Sequence, residues 1–144
     1  MRVVGLAPAS DHVVLVVLDI DEAAGTWSLV DTSATRKIEL GDHEDAGALR
    51  DFKAAVGAFV NSHGVGRMII RRCTYRGQKR SGAEAIKMEA LLQLLDCDST
   101  LAPSQSITRR FEKHAVSMPP GLNKYQSDAF ATALFALAPT DNAL

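Results

Sequence analysis

Apolar positions along this chain keep two rhythms. Residues 2–6 are mostly β-branched or aliphatic and stop at the proline of RVVGLAPAS, as a buried strand does. Residues 12–20 form a continuous apolar run around VVLVVL, the pattern of a strand covered on both faces. DIDEAAGTW then supplies a turn, with Gly25 as its left-handed residue. A third strand region, weaker and more polar, covers 27–40. The short connections predict antiparallel pairing among these three. The rhythm then lengthens. Asp42 is expected to cap a helix, with Asp45 three residues on. Leu49, Phe52, Val56, Phe59 and Val60 follow at helical spacing, and Gly64 closes the helix.

GRMIIRRC reads as a fourth strand centred on 68–70, followed by a basic, glycine-containing loop, TYRGQKRSG. A second helix is expected over 82–95, apolar on a wide arc with Ile86, Ala90, Leu91, Leu94 and Leu95 inward. STLAP is a short fifth strand, and Ser104 is expected to cap a brief helix through Phe111. After the rigid loop MPPGLN, a last helix is expected over 124–137, with Phe130, Leu134 and Leu137 inward. The order is β-β-β-α-β-α-β-α-α. The fourth and fifth strands arrive through helical crossovers and should lie parallel to the first. A ferredoxin-like order fits worse, because it places a helix between the first two strands.

Length and composition narrow the class. A chain of 144 residues is expected to form one domain, residues 1–144. The longest apolar run, 13–18, is too short for a bilayer span, which needs roughly 20 residues. The N-terminus lacks the long apolar region of a signal peptide. No membrane role is expected. Cys73 and Cys97 lack metal-pair spacing, so reduced thiols and a cytoplasmic setting are the default reading. The net charge of −1 announces no polyanionic partner, so any electrostatic function must come from local clustering.

Such clustering exists. Between residues 67 and 87 stand Arg67, Arg71, Arg72, Arg76, Lys79, Arg80 and Lys87, opposed only by Glu84 and Glu89. Cations on a loop beside a helix N-terminus suit phosphate contact. Tyr75 adds a stacking surface. The plainer alternative is a solvated loop whose charges serve solubility. Arg71 and Arg72 follow a strand centre, so alternation sends them to opposite faces. Asp19, Asp21 and Glu22 sit at a strand end and read as a solvated hairpin tip. HEDAG at His43 is not a zincin motif, because position 47 is glycine. His12, His63 and His114 have no ligand spacing to one another, and Met88 and Met118 read as core filler. No G-x-G-x-x-G, phosphate loop or G-x-S-x-G is present, so no cofactor is expected.

Three segments carry a resemblance. MIIRRCTYRGQKRSGAEAIKMEALLQLL resembles the strand, loop and helix that carry the central glutamate of Holliday-junction resolvases of the RuvC type. YQSDAFATALFAL resembles their last helix, where an aspartate sits in an S-D-A-x-A-x-A context. VVGLAPAS resembles their first strand, patterned G-[IL]-D-P-G. The chain also resembles a small family of uncharacterised bacterial proteins of this fold, most of all in SGAEAIKMEALLQLL. The resemblance implies an α/β, ribonuclease-H-like fold: a five-stranded mixed sheet, three antiparallel strands then two parallel, flanked by helices.

The same resemblance speaks against cleavage. Ala7 stands at the first-strand aspartate, Ala9 at the following glycine, and Arg71 at the fourth-strand glutamate. Asp128 alone matches a metal ligand. The resolvases resemble two-metal phosphodiester hydrolases, whose carboxylates hold cations about 4 Å apart. An alanine methyl has no lone pair for magnesium. A guanidinium about 4 Å from a divalent ion would be repelled by roughly 8 kcal/mol at an effective dielectric of 20. The expectation is a catalytically degenerate nucleic-acid-binding module. Its site would comprise Arg71, Arg72, Tyr75, Arg76, Lys79, Arg80 and Lys87, with Ala7, Arg71 and Asp128 lining the former cleft. DNA or RNA is the expected partner, and a homodimer is implied by resemblance alone. Arg71 paired with Asp128 would fill the space of the metals and suit a protein-assembly role instead. A third reading keeps nuclease activity through Asp11, Glu84 and Glu89 converging on Asp128.

Overall fold

The computed structural model describes residues 1–114 and 116–137. One mixed sheet of six strands runs through them: β3 (Thr26–Leu29), β2 (His12–Asp21), β1 (Arg2–Ala9), β5 (Arg67–Arg71) and β6 (Ser99–Ala102) lie side by side in that order, and β4 (Lys37–Glu39) also pairs with β2. β1 (Arg2–Ala9) and β2 (His12–Asp21) are antiparallel, turning at Ser10, which takes a positive φ of 54°. β5 (Arg67–Arg71) lies parallel to β1, and β6 (Ser99–Ala102) parallel to β5, as the helical crossovers predict.

The third strand region is broken. β3 (Thr26–Leu29) pairs with the end of β2 and β4 (Lys37–Glu39) with its beginning, so two short strands occupy one edge where one was expected. The interruption has a local cause. The Asp31 carboxylate accepts from the Ser33 amide at 2.9 Å, and the Thr35 amide donates to the Thr32 carbonyl at 2.8 Å. These turn bonds lift the chain off the ladder, which resumes where the Leu15 amide meets the Arg36 carbonyl at 3.0 Å.

Strand alternation divides the core. Val4, Leu6, Val13, Leu15, Val17, Met68 and Ile70 face α1 (Ala46–Ser62) and α2 (Ala83–Gln93). Val3, Ala7, Val14, Val16, Leu18 and Ile69 face α3 (Ser104–His114) and α4 (Ser127–Leu134). The sheet is therefore covered on both sides, which is why β2 reads as an unbroken apolar run. Among the described residues no helix is long and apolar enough to cross a membrane.

Helix ends follow their capping chemistry. Asp45, not Asp42, caps α1, its carboxylate accepting from the Ala48 amide at 3.0 Å. Asp42 sits one turn earlier and accepts from the Glu44 amide at 2.9 Å. At the other end Gly64, with φ 61°, lets its own amide reach Asn61 and the Val65 amide reach the Val60 carbonyl at 3.0 Å. That is a Schellman closure, and it uses the left-handed conformation glycine adopts without penalty. The last helical segment opens with a 3-10 turn, Lys124–Gln126, boxed by Asn123, before α4 begins.

α2 is rotated from its expected phase. Ala85, Met88, Glu89 and Leu92 are buried, while Ala90 is exposed and Leu94 is 67% exposed. Apolar residues surround most of this helix, so periodicity alone does not choose between the two stripes.

α4 lies directly on β1. A Cβ built on Gly5 would come within 2.1 Å of the Ala129 carbonyl oxygen and 2.5 Å of the Ala133 nitrogen. Only glycine on the strand, facing alanines on the helix, allows backbones this close.

Candidate functional site

The carboxyl ends of the parallel strands β1 and β5 share one edge of the sheet, the edge where open α/β sheets usually bind ligands. Leu6 pairs with Ile70, so Ala7 and Arg71 come next on adjacent strands. Ala7 is buried with only a methyl to offer. Arg71 turns to the α4 face, and its Nη1 lies 3.8 Å from Asp128 Oδ1. The Arg71 side chain is 24% exposed and that of Asp128 68%, so this is a half-solvated contact of at most about 1 kcal/mol. Thr132, one turn along α4, spends its hydroxyl on the Asp128 carbonyl at 2.6 Å.

These residues do not fit a divalent cation. Ala7 offers a methyl and Arg71 a fixed positive charge, neither of them an oxygen donor, and the Asp128 carboxylate is already beside a guanidinium. The displaced set does not form either. Asp11 lies against His12 at 3.1 Å, and Glu89 is buried under the loop after β5. Among the described residues no three His, Cys, Asp or Glu side chains are grouped to hold a metal ion.

That loop is built rather than slack. The Thr74 amide donates to Ser81 Oγ at 3.0 Å and the Ser81 amide to the Thr74 carbonyl at 2.7 Å, closing its base. Gly77, at φ 93°, makes the turn, and the Arg80 amide and guanidinium both reach its carbonyl. Arg72, Arg76, Lys79 and Arg80 are exposed, and the Tyr75 ring is 49% exposed. Lys87 is placed differently. It is half-buried on α2, with its ammonium 2.9 Å from the His43 carbonyl and 3.1 Å from His43 Nδ1. Arg67, at the opposite end of β5, donates to Thr100 Oγ1 at 3.3 Å.

The sequence names Glu89 only as an opposing charge and as a possible displaced metal ligand, and misses its role as a buried anchor. It is 4% exposed, and both carboxylate oxygens are satisfied by the loop. Oε1 accepts from the Cys73 amide at 2.6 Å, and Oε2 from the Tyr75 hydroxyl at 2.5 Å. The Glu89 carboxylate holds the Tyr75 proton, which pushes that phenol up to about 12. Burial, then the nearby Glu89 charge, pushes the Cys73 thiol up to about 11. A signal was present in the sequence. Ala85, Met88, Glu89 and Leu92 lie at i, i+3, i+4 and i+7, an apolar stripe carrying one carboxylate.

Known structures share this architecture. RuvC of Thermus thermophilus in complex with Holliday junction substrate is 12% identical with a TM-score of 0.69, over 94% of this chain and 92% of that one. A second Thermus thermophilus RuvC structure is 13% identical with a TM-score of 0.67, over 94% and 92%. The Fowlpox virus resolvase complexed with Holliday junction DNA is 14% identical with a TM-score of 0.52, over 93% and 95%. At these identities the likeness establishes the ribonuclease-H-like fold. No curated protein matches the sequence. Residues 1–136 match the family described as "Protein of unknown function (DUF3010)", and to that family the chain belongs.

Proposed function

We propose that the protein binds nucleic acid through the loop after β5 and does not cleave it by metal-dependent hydrolysis at the standard site. One observation carries the reading. At the carboxyl edge of β1 and β5, Arg71 stands against Asp128 where a cation site would need carboxylates, and an ordered loop next to it exposes Arg72, Arg76, Lys79 and Arg80. The cations would grip phosphates, and the exposed Tyr75 ring would offer a base a stacking face. Solved neighbours of the same fold were captured with Holliday junctions, which supports DNA as the first ligand to try. The working unit is one domain. A homodimer and a cytoplasmic setting belong to the same reading, the latter in keeping with the free thiols of Cys73 and Cys97.

The test is fluorescence anisotropy with labelled single-stranded, duplex and four-way-junction DNA and with RNA at low salt. Binding should weaken steeply as salt rises. Charge reversal at Arg76, Lys79 and Arg80 should abolish binding. If the wild type shifts no DNA or RNA at low salt, the reading fails. The contact between Arg71 and Asp128 favours a second reading, in which the filled cleft serves protein assembly. That reading predicts a stable dimer or hetero-complex on a sizing column with no nucleic-acid binding.

A further inference from the structure

We propose that Glu89 is a positioning residue for this binding loop, acting through a latch to Tyr75 and the Cys73 backbone; the inference rests on the binding role above and assigns its geometry to a buried carboxylate. Glu89 belongs to α2 and faces the core beside Met88 and Leu92. A carboxylate is costly there unless its oxygens are satisfied. Both are, and both donors come from the segment just after β5: the Cys73 amide at 2.6 Å and the Tyr75 hydroxyl at 2.5 Å. The rest of the loop hangs between this double anchor and the Thr74–Ser81 bridge. Arg76, Lys79 and Arg80 thus project from a segment pinned at its base on two sides. Pinning lowers the entropy lost when cations engage a phosphate backbone, so affinity rises with no added ligand contact.

Charge and position act in opposite directions here, which makes the inference decidable. Glu89 is an anion beside a loop that would hold a polyanion. If it acted only through its field, Glu89→Gln would tighten binding. As an anchor, it should do the reverse, because the amide nitrogen that takes the place of one carboxylate oxygen cannot accept, and the neutral oxygen that remains gives no charge-assisted bond. Tyr75→Phe removes the hydroxyl, keeps the ring and changes no charge at neutral pH.

The experiment measures single-stranded DNA affinity by anisotropy at one low salt concentration for wild type, Glu89→Gln and Tyr75→Phe. Amide hydrogen exchange of the 72–82 segment is followed in the unliganded proteins. Both variants should bind roughly 3- to 10-fold more weakly, the range of one ordinary net hydrogen bond. Exchange across the segment should accelerate while the β1 and β2 amides stay protected. If Glu89→Gln fails to fold, Tyr75→Phe decides alone. Equal or tighter binding by the folded variants, or unchanged exchange in the segment, overturns the inference while leaving nucleic-acid binding intact. Wild-type protein that binds nothing, before and after charge reversal at Arg76, Lys79 and Arg80, overturns the binding role and this inference with it.

Discussion

The contact between Gly5 and α4 makes a prediction with an unusual sign. Glycine to alanine in a strand ordinarily stabilises by roughly 0.4–1 kcal/mol, by narrowing the unfolded ensemble. Gly5→Ala should do the opposite. The new methyl would sit 2.1 Å from the Ala129 carbonyl oxygen, 2.5 Å from the Ala133 nitrogen and 2.9 Å from the Ala133 Cβ. Carbon and oxygen without a bond settle no closer than about 3.3 Å, so helix and strand must part by about 1 Å. The two nearest obstacles are backbone atoms, so no side chain can swing aside. Ile69, Ala129, Phe130, Ala133 and Leu134 are all fully buried around the contact and leave no slack. Overpacking of this kind typically costs 1–3 kcal/mol, and a clash with backbone belongs at or above the upper end. At about 3 kcal/mol, and roughly 3–4 °C per kcal/mol for a chain of this size, the melting midpoint should fall by about 10 °C. Circular-dichroism melts and urea titrations of wild type and Gly5→Ala measure it. A midpoint equal to or above wild type would show that α4 does not rest on β1 as described, and the placement of Asp128 beside Arg71 would fall too.

Two further outcomes are expected. Tyr75 should lose its proton late in an absorbance titration of the folded protein, at about 12, because the Glu89 carboxylate holds that proton and partial burial disfavours the phenolate. A raised folded pKa means that the latch contributes stability below the ordinary tyrosine value near 10 and loses it as pH climbs towards 12. Tyr75→Phe should abolish the late component, and a Tyr75 phenol half-titrated near the ordinary value of about 10 would remove the hydrogen bond from the account. Magnesium or manganese at millimolar concentration should leave the melting midpoint unchanged, since an ion held by the native state alone would raise it by mass action. A rise that disappears in Asp128→Asn would refute the reading of the cleft.

What could be read from the chain divides by range of interaction. The β-β-β opening, the parallel fourth and fifth strands and the closing helices follow from periodicity and turn residues, which are local. The phase of α2 does not. Ile86, Leu91 and Leu95 pack only partly against the core, while Ala85, Met88 and Leu92 lie within it. Both stripes are apolar, and only the shape of the sheet beneath selects one. The same ambiguity hid the burial of Glu89, which read as an acid opposing a basic run or as a ligand of a displaced metal site. The break between β3 and β4 was missed for a related reason. Hydrogen bonds by Asp31 and Thr32 compete with the ladder over a few residues inside a region whose overall pattern is extended. Arg71, by contrast, was legible to the level of its face: alternation sends it and Arg72 to opposite sides of the sheet, and the resemblance assigns the cleft side to Arg71.

The frame and the chemistry of this fold are separable, and the residues show why. What brings α4 to β1 is the smallness of Gly5, Ala129 and Ala133, a steric condition indifferent to any ion. The edge they create holds Ala7, Arg71 and Asp128 at fixed stations whatever those residues are. Three carboxylates gathered there without cations would repel one another by roughly 3–4 kcal/mol per pair at 4–5 Å and an effective dielectric of 20. A frame with that arrangement needs its ions to relieve the strain. Alanine and arginine abolish the repulsion, since a methyl carries no charge and the guanidinium is itself a cation beside Asp128. Arg71 and Asp128 balance one another at this edge, and its positive character comes from Arg72, Arg76, Lys79 and Arg80 on the adjoining loop. Such a surface suits the proposed phosphate contact and offers no oxygen-rich cradle for a divalent ion. The role proposed above, binding without cutting, is the one consistent with that charge arrangement.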